Sequence, residues 1–315
     1  LDLNQEAAAN VARVWAVSAL YMQSGTNTVG FAGSTGTHTL RLNGNVTVNA
    51  TARAGSVFRE PASSTSGRID LHGGNRVFAV AAGTPTSGMD LRVSIPLVDL
   101  AGGGVLTKEG AGLMVLDLRA GDSTYAGGTV VANGTLSVQN TAGSATGTGA
   151  VTVGENGTLS GNGIISGAVT VDGTLAPGVS PGTLTISNTL TLTGTAKLNF
   201  ELHGTDLTIG GGINDLVDGV TDLTLGGALN VSETSPGTFL LANLGDKWRL
   251  INYSGNLTDN GLALGTMPTL SGGLAFAVDT ATTGQINLSI IPEPATVGLG
   301  LSGLALLLLR RRVRG

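Results

Sequence analysis

Apolar and small polar residues alternate along many short stretches of this chain, with the period of two that is typical of β-strands. In the stretch Gly134–Asn140, Leu136 and Val138 fall on one face, and the polar residues between them fall on the other. The same alternation occurs in Leu184–Leu192 and in Leu198–Leu202. These patterns predict strands that bury one face and leave the other in water.

Other parts of the chain have a similar pattern of residues. Further strands are predicted over Leu40–Val48, Arg68–Val80, Asp90–Leu100, Asp222–Val231, Trp248–Tyr253 and Gln285–Ile290. The first 25 residues are ambiguous, because their alanines and valines suit a helix, whereas Val11–Val17 would also serve as a strand.

Short internal repeats indicate how the strands are arranged. The sequence Gly-Ala-Val-Thr-Val occurs at Gly149–Val153 and again, about 18 residues later, at Gly167–Val171. This spacing is in the length range of one solenoid coil. Turn-forming pairs separate the strands at Asn133-Gly134, Asn156-Gly157, Asp172-Gly173, Pro177-Gly178 and Pro181-Gly182. The sequence therefore predicts an all-β fold, a right-handed parallel β-helix or solenoid.

Composition narrows the alternatives. A globular β-sandwich is the structural rival, but it would normally fill its core with more than the 3% aromatic residues found here. The chain has 41% hydrophobic residues, which is enough for a thin core of small side chains. It has no cysteine, which excludes disulfides, thiol nucleophiles and thiolate metal sites. Its net charge of -5 gives no sign of the positively charged surface that binds nucleic acid.

A known repeat is recognisable in the middle of the chain. The segments are Leu106-Thr-Lys-Glu-Gly-Ala-Gly-Leu-Met-Val-Leu116, Ser123-Thr-Tyr-Ala-Gly-Gly-Thr-Val-Val131 and Asn133-Gly-Thr-Leu136. Together they resemble the autotransporter-associated β-strand repeat, and the stretch Leu175–Leu184 is similar to what commonly follows such repeats. The resemblance covers about a third of the chain. It implies a β-helical stalk on an exported protein.

The C-terminal residues form three successive parts. Pro292, Glu293 and Pro294 come first, and Ala295–Leu309 follows without a charge. A basic cluster closes the chain, formed by Arg310, Arg311, Arg312 and Arg314. As a helix the apolar run would be ~22 Å long, short for a bilayer core of ~30 Å but extended by snorkelling arginines. Because arginines prefer the cytoplasmic side, we expect a single transmembrane helix with the preceding chain outside.

This three-part tail closely resembles the PEP-CTERM sorting signal of Gram-negative bacteria, although a plain tail anchor is the simpler alternative. The resemblance implies that an exosortase-type membrane protease recognises Pro292, Glu293 and Pro294. It also implies a link with exopolysaccharide and the cell envelope. The expected location is the inner membrane before processing, and the cell envelope or the extracellular space afterwards.

Four regions are expected: a β-rich repeat region at 1–105, the repeat solenoid at 106–203, a β region or solenoid cap at 204–290, and the sorting signal at 291–315. In that signal, 295–309 would span the membrane and 310–315 would form the basic tail. The chain starts at Leu1 without a basic and then apolar leader, so we expect a signal peptide upstream. Three bulky aromatic residues would either seal the end of the coil or serve as ordinary core residues, namely Phe239, Trp248 and Tyr253.

Residues with catalytic potential are sparse. The three histidines, His38, His72 and His203, are widely spaced, were assigned to different strands, and no pair has metal-ligand spacing. The nearest group of carboxylates is Asp215, Asp218 and Asp222, which are more typical of turns and strand entries than of acid–base catalysis. We therefore predict that the chain is not an enzyme and needs no cofactor.

Two glycine- and threonine-rich features leave further readings open. The segment Gly210–Asp215 partly resembles a calcium-binding nonapeptide, but only one copy is present. Rows of outward threonines would suit a glycan- or ice-binding surface, as in Thr183/Thr185 and Thr189/Thr191/Thr193. The sequence thus favours a structural or adhesive envelope protein. A binding module is the first alternative, and a carbohydrate-active β-helix enzyme is the weaker one.

Overall fold

The computed structural model describes residues 13–23, 27–30, 37–49, 56–59, 67–84, 88–118 and 122–293. Within these residues the secondary structure is almost entirely β-strand, with one short 3-10 turn at Thr238–Leu241. The alternation of inward and outward side chains produces these strands, as the sequence predicts.

The chain winds as a coil, and three strands make up most turns. The first four coils are formed by β1 (Arg13–Val17), β2 (Leu20–Met22) and β3 (Asn27–Gly30); β4 (His38–Leu42), β5 (Val46–Val48) and β6 (Ser56–Arg59); β7 (Gly67–Asp70), β8 (Asn75–Val80) and β9 (Leu91–Val93); β10 (Leu97–Val98), β11 (Val105–Glu109) and β12 (Leu113–Leu116). The fifth and sixth contain the long, bent strands β13 (Thr129–Val138) and β14 (Val151–Gly161).

Four further coils complete the described stack. They are β15 (Ile164–Ile165), β16 (Val169–Val171) and β17 (Thr174–Pro177); β18 (Thr183–Ile186), β19 (Leu190–Leu192) and β20 (Lys197–Leu202); β21 (Leu216–Val220), β22 (Leu223–Leu225) and β23 (Ala228–Glu233); β24 (Lys247–Tyr253), β25 (Leu257–Asp259) and β26 (Ala263–Leu264). The C-terminal hairpin is β27 (Leu274–Asp279) and β28 (Gln285–Pro292).

Each strand pairs in parallel with its counterparts in the neighbouring coils, so three faces run along the stack. The first face contains β1, β4, β7 and β10, and later β15, β18, β21 and β24. The second runs from β2 to β25 and the third from β3 to β26, and both pass through β13 and β14. Parallel pairing from coil to coil excludes the antiparallel sandwich considered from the sequence.

The core is one continuous column of apolar side chains inside the coil. Eight residues expected to point inward are all buried: Leu136, Val138, Val151, Val153, Val169, Val171, Leu184 and Ile186. Inward residues also stack in register, as in Val131, Val153 and Val171 on the second face. The period-two pattern therefore identified the buried face of each strand correctly.

Several predicted strands are in fact two strands joined at a corner. Arg68–Val80 divides into β7 and β8, and Leu40–Val48 divides into β4 and β5. At the second of these corners, a Cβ on Gly44 would overlap the backbone carbonyl of Ser18, which requires glycine. The alternation continues through such corners because the coil bends around one core, so hydrophobic period alone does not locate them. At the N-terminus, β1 confirms a strand over Arg13–Val17, and residues 1–12 lie outside the described part.

Strand pairing continues across the boundaries expected at 105/106 and 203/204. On one side β11 pairs with β8, and on the other β20 pairs with β23. The change in architecture comes only at the C-terminal end, where β28 pairs antiparallel with β24 and with β27. Adjacent to this hairpin, Phe239 and Trp248 are buried with their rings 4.9 Å apart. Tyr253 is also buried.

No helix in the described residues is long and apolar enough to cross a membrane. The segment 295–309, which the sequence predicts to be a transmembrane helix, lies outside the described residues.

Candidate functional site

The first two residues of the expected sorting motif lie at the C-terminal end of the described residues. Pro292 is the last residue of β28 and stands opposite Leu274, and the backbone N–H of Glu293 donates to the carbonyl of Gly273 at 3.0 Å. Both side chains are exposed. A proline is tolerated at this position because the strand ends there. The remaining predicted residues, Pro294, Arg310, Arg311, Arg312 and Arg314, lie outside the described part of the chain.

The repeat motif places a lysine inside the coil, which the sequence reading missed. Lys108 is fully buried in β11 and lies in register between Phe78 and Val131, at a position that is apolar in both neighbouring coils. Its ammonium donates to the carbonyls of Glu109, Gly110 and Asn133 at 3.0, 2.8 and 3.0 Å. The sequence feature that indicates such a buried lysine is a lysine among apolar strand residues, followed by Gly-x-Gly.

Burial and a neighbouring carboxylate act in opposite directions on the pKa of Lys108, and burial has the larger effect. Burial lowers the pKa of the Lys108 ammonium to about 8, and the nearby Asp90 carboxylate acts in the opposite direction. Asp90 itself accepts backbone N–H groups from Gly83 and Leu113 at 2.8 Å. These interactions tie the corner between β11 and β12 to neighbouring coils, so Lys108 is a structural cation rather than an exposed catalytic one.

Gly134 shows why the corner around Lys108 needs glycine. Its φ is +69°, a left-handed conformation that side chains other than glycine rarely adopt. A Cβ there would also overlap the carbonyl oxygen of Gly110, one of the acceptors of Lys108. Conformation and close approach together explain the Asn-Gly pair inside β13.

The three aspartates considered as acid–base candidates are not brought together as a catalytic set. Asp215 is buried at the entry of β21, and its oxygens accept N–H groups from Gly182 and Glu201, each at 2.7 Å. Asp218 lies within β21 and accepts from the Asn252 side chain at 3.0 Å. Asp222 lies in the turn before β22. The strand-entry and turn assignments are confirmed for Asp215 and Asp222, whereas Asp218 is a strand residue.

Burial has a marked effect on Asp215. It raises the pKa of this carboxyl to about 7, and the Glu201 carboxylate adds to that effect, while the two backbone donors oppose it. A carboxyl of this kind could exchange protons near neutral pH. However, both oxygens are already bound to backbone N–H groups.

The glycine-rich segment before Asp215 is organised by protein contacts. Asn214 is buried, and its side-chain amide donates to the carbonyls of Asp206 and Thr208 at 2.8 Å and accepts from the backbone of His203 at 2.7 Å. Among the described residues, no group of three or more His, Asp or Glu side chains could hold a metal ion. The side chain of Asn214 is therefore engaged within the loop itself, whereas the side chain of Asp215 binds the backbone of Gly182 and Glu201 outside it.

The histidines lie far apart in the fold, and only His38 is in a strand, which corrects the assignment of all three to strands. His38 packs on Trp15 with the rings 5.5 Å apart. His72 occupies a turn with φ of +51°, where its backbone N–H donates to Asp70. His203 accepts the Trp248 indole N–H on its backbone carbonyl at 2.8 Å.

A column of threonines runs along the second face. Its members are Thr152, Thr170, Thr191, Thr224 and Thr258, which are register partners in five successive coils. The two end members are exposed and the middle three are half-buried. Of the threonine rows named from the sequence, Thr191 belongs to this column. Neighbouring positions are mixed, since Thr170 is flanked by Ala168 and Asp172, so the regular row is one residue wide.

Comparison with known proteins agrees with the repeat resemblance. Residues 106–138 match the passenger-associated-transport-repeat family, and they include β11, β12 and β13 with the buried Lys108. The chain is also similar to the adhesin BmaC autotransporter of Brucella suis biovar 1 (strain 1330), with 40% identity over 115 residues. That match covers 36% of this chain and 3% of the adhesin. The chain therefore contains a passenger repeat of the autotransporter type within a parallel β coil.

Proposed function

We propose that this chain is an exported structural or adhesive protein of the cell envelope, whose coil forms a stiff stalk. The observation that carries the proposal is the pairing of the repeat strands: β11 to β13 join coils on both sides in parallel, without a break in the core. The similarity to an autotransporter adhesin supports export and a role at the cell surface. A continuous coil suits a spacer because each turn rests only on its neighbours.

We propose further that residues 291–315 are a PEP-CTERM sorting signal recognised by an exosortase-type membrane protease. The order of the three parts in the sequence supports this, as does the exposed position of Pro292 and Glu293 at the end of β28. Residues 295–309 would span the membrane, with the coil on the outer side. Exopolysaccharide is the proposed partner in the envelope. The arginines from Arg310 to Arg314 would stay on the cytoplasmic side.

The sorting proposal is tested by changing its parts separately in a host that carries the matching protease. Replacing Pro292, Glu293 and Pro294 with alanine leaves the apolar run and the arginines intact, so insertion persists and uncleaved protein accumulates in the inner membrane. Replacing the four arginines with alanine instead weakens retention and orientation. Fractionation and intact-mass measurement separate these results. The same C-terminal residue in wild type and in the Pro-Glu-Pro variant would establish a plain tail anchor.

A glycan- or ice-binding role is the second candidate, and the threonine column favours it. Five hydroxyl-bearing side chains in register give a row with a spacing of ~4.8 Å. If the row binds a ligand, Thr170→Lys and Thr191→Lys should abolish binding to envelope polysaccharide or to ice, whereas Thr158→Lys on the third face should not. Unchanged binding in the first two variants would remove this candidate.

A carbohydrate-active enzyme is the least supported reading. Among the described residues, the carboxylates considered for it are Asp215, at the entry of β21, and Asp218, within β21, and both oxygens of Asp215 already accept backbone N–H groups. Incubating the purified chain with pectin, alginate and other uronic polymers tests it directly. Turnover that is lost in Asp218→Ala would overturn the non-enzymatic proposal.

A further inference from the structure

Three leucines protrude from one loop at the C-terminal end of the coil. Leu240, Leu241 and Leu244 are 49%, 69% and 60% exposed, and we call them the leucine patch. They belong to the connection between β23 and β24, in which residues 234–245 carry no charged side chain. Loops at a protein surface are normally polar, so three protruding leucines within five residues indicate an interaction surface.

The loop is held in place, and the exposure of the leucine patch is therefore a built feature. Phe239, next to Leu240, is fully buried, and its ring lies 4.9 Å from Trp248 and 5.4 Å from Phe276. The carboxylate of Glu233 accepts the backbone N–H groups of Gly237 and Phe239 at 2.6 and 3.0 Å. With Phe239 anchored inward, the 3-10 turn directs the following leucines outward.

The leucine patch lies beside the last strand of the described structure, β28. Immediately after Leu244, the N–H of Gly245 donates to the carbonyl of Ile290 at 3.1 Å, and the N–H of Ile290 donates to Asp246 at 3.0 Å. This pairing brings Leu244 next to the last residues of β28. The apolar run starts at Ala295, two residues after Glu293, a distance of at most ~7 Å along an extended chain.

We propose that the leucine patch rests on the lipid surface of the membrane that the C-terminal tail enters. The proposal depends on the tail inserting as described under the proposed function, and it adds a second contact made by the folded coil. A short link places the end of the coil at the headgroup level, where leucine side chains gain from leaving water. The contact would hold Pro292 and Glu293 at the membrane surface, within reach of a membrane-embedded protease.

The absence of cysteine permits a clean test with single-cysteine variants of the full chain. Leu241→Cys is labelled with an environment-sensitive fluorophore, and the protein is reconstituted into phosphatidylethanolamine–phosphatidylglycerol vesicles. Lipids with a spin label near the headgroup serve as the quencher. We expect a blue shift and at least a twofold loss of emission at position 241. The matched control is Leu100→Cys, which replaces a residue that is 51% exposed and lies six coils away, and it should not be quenched.

The outcomes separate the lipid contact of the leucine patch from the insertion of the tail. Vesicle flotation with quenching at 241 supports both, whereas flotation without quenching at 241 overturns the lipid contact and leaves tail insertion standing. Failure to float contradicts both. A disulfide-linked dimer of unlabelled Leu241→Cys in vesicles, without lipid quenching of the labelled protein, would assign the patch to a second copy and overturn the lipid contact.

A second variant tests whether the leucines themselves make the contact. A label at Asn243→Cys, within the same loop, should be quenched in the otherwise unchanged chain. Combining it with Leu240→Ser, Leu241→Ser and Leu244→Ser should abolish the quenching while flotation persists, because the tail still inserts. Quenching that survives the three serines would mean that proximity alone, and not the leucine patch, brings the loop to the lipid, and this would overturn the proposal.

Discussion

The buried ammonium of Lys108 donates a hydrogen bond to the backbone carbonyl of Asn133, 3.0 Å away, and so joins two neighbouring coils of the stack. Asn133 begins the turn inside β13, and Lys108 lies in β11, one coil earlier. The contact falls inside the segment that matches the passenger-associated-transport-repeat family. The repeat therefore uses a buried cation to fix a corner as well as apolar residues to fill the core.

Removing the hydrogen-bond donor of Lys108 should destabilise the coil. In Lys108→Met the side chain remains long and apolar, but three backbone carbonyls lose the donor that they share, so the free energy of unfolding falls by about 1–3 kcal/mol. Urea unfolding followed by circular dichroism measures the change. Lys197→Met is the control, because Lys197 is exposed on β20, and its effect should stay within about 0.5 kcal/mol.

The contribution of Lys108 to the free energy of unfolding should change with pH in the alkaline range. Its pKa is about 8 in the folded chain and about 10.4 when unfolded, so the unfolded chain binds more protons at this site between those values. The free energy of unfolding of wild type, relative to Lys108→Met, should therefore rise between pH 8 and pH 10. Thermal unfolding of both proteins across this range gives the difference. A difference that stays flat would contradict the lowered pKa.

The contribution of Asp215 to stability should change with pH in the opposite direction, and at lower pH. Its pKa is about 7 in the folded chain, against about 3.9 unfolded, so the folded chain binds more protons between pH 4 and pH 7. Stability of wild type relative to Asp215→Asn should fall as pH rises through this window. Melting temperatures of the two proteins at pH 4, 5.5 and 7 test the prediction. A difference that increases with pH would show that the two backbone donors outweigh burial.

Phe239 should anchor the C-terminal loop. Phe239→Ala removes a buried ring that contacts Trp248 and Phe276, and we expect a loss of about 3–5 kcal/mol in the opening free energy of the last coil. Native-state hydrogen exchange of β24 reports this opening. The adjacent Leu240→Ala is the control, since Leu240 is 49% exposed, and it should leave the exchange of β24 nearly unchanged.

The alternation of side chains in the sequence correctly predicted an all-β fold and the inward residues, including Val151 and Val169, which are register partners. The short internal repeats predicted the parallel coil. This was possible because a strand exposes its side chains with a fixed period, whatever it pairs with. The repeat Gly-Ala-Val-Thr-Val also has a coil length of 18 residues, which the pairing of Thr152 with Thr170 reproduces.

Later contacts depend on coils of unequal length and could not be read from spacing. Thr191 and Thr224 are 33 residues apart, and Thr224 and Thr258 are 34 apart, because long loops enter the last coils. Only the pairing of strands places them in one column. The same holds for the burial of Lys108 and Asp215, since Lys108 binds the carbonyl of Asn133 in the next coil and both partners of Asp215 are distant in the sequence.

The sequence by itself thus determined which residues face the core and where an apolar, arginine-ended tail begins. The tertiary structure decided which corners the chain turns, which polar groups are buried and which leucines remain in water beside Pro292. The physical reason is that strand period is a local property of the backbone. Burial and register, by contrast, depend on the number of residues in each coil and on which strands pair through hydrogen bonds.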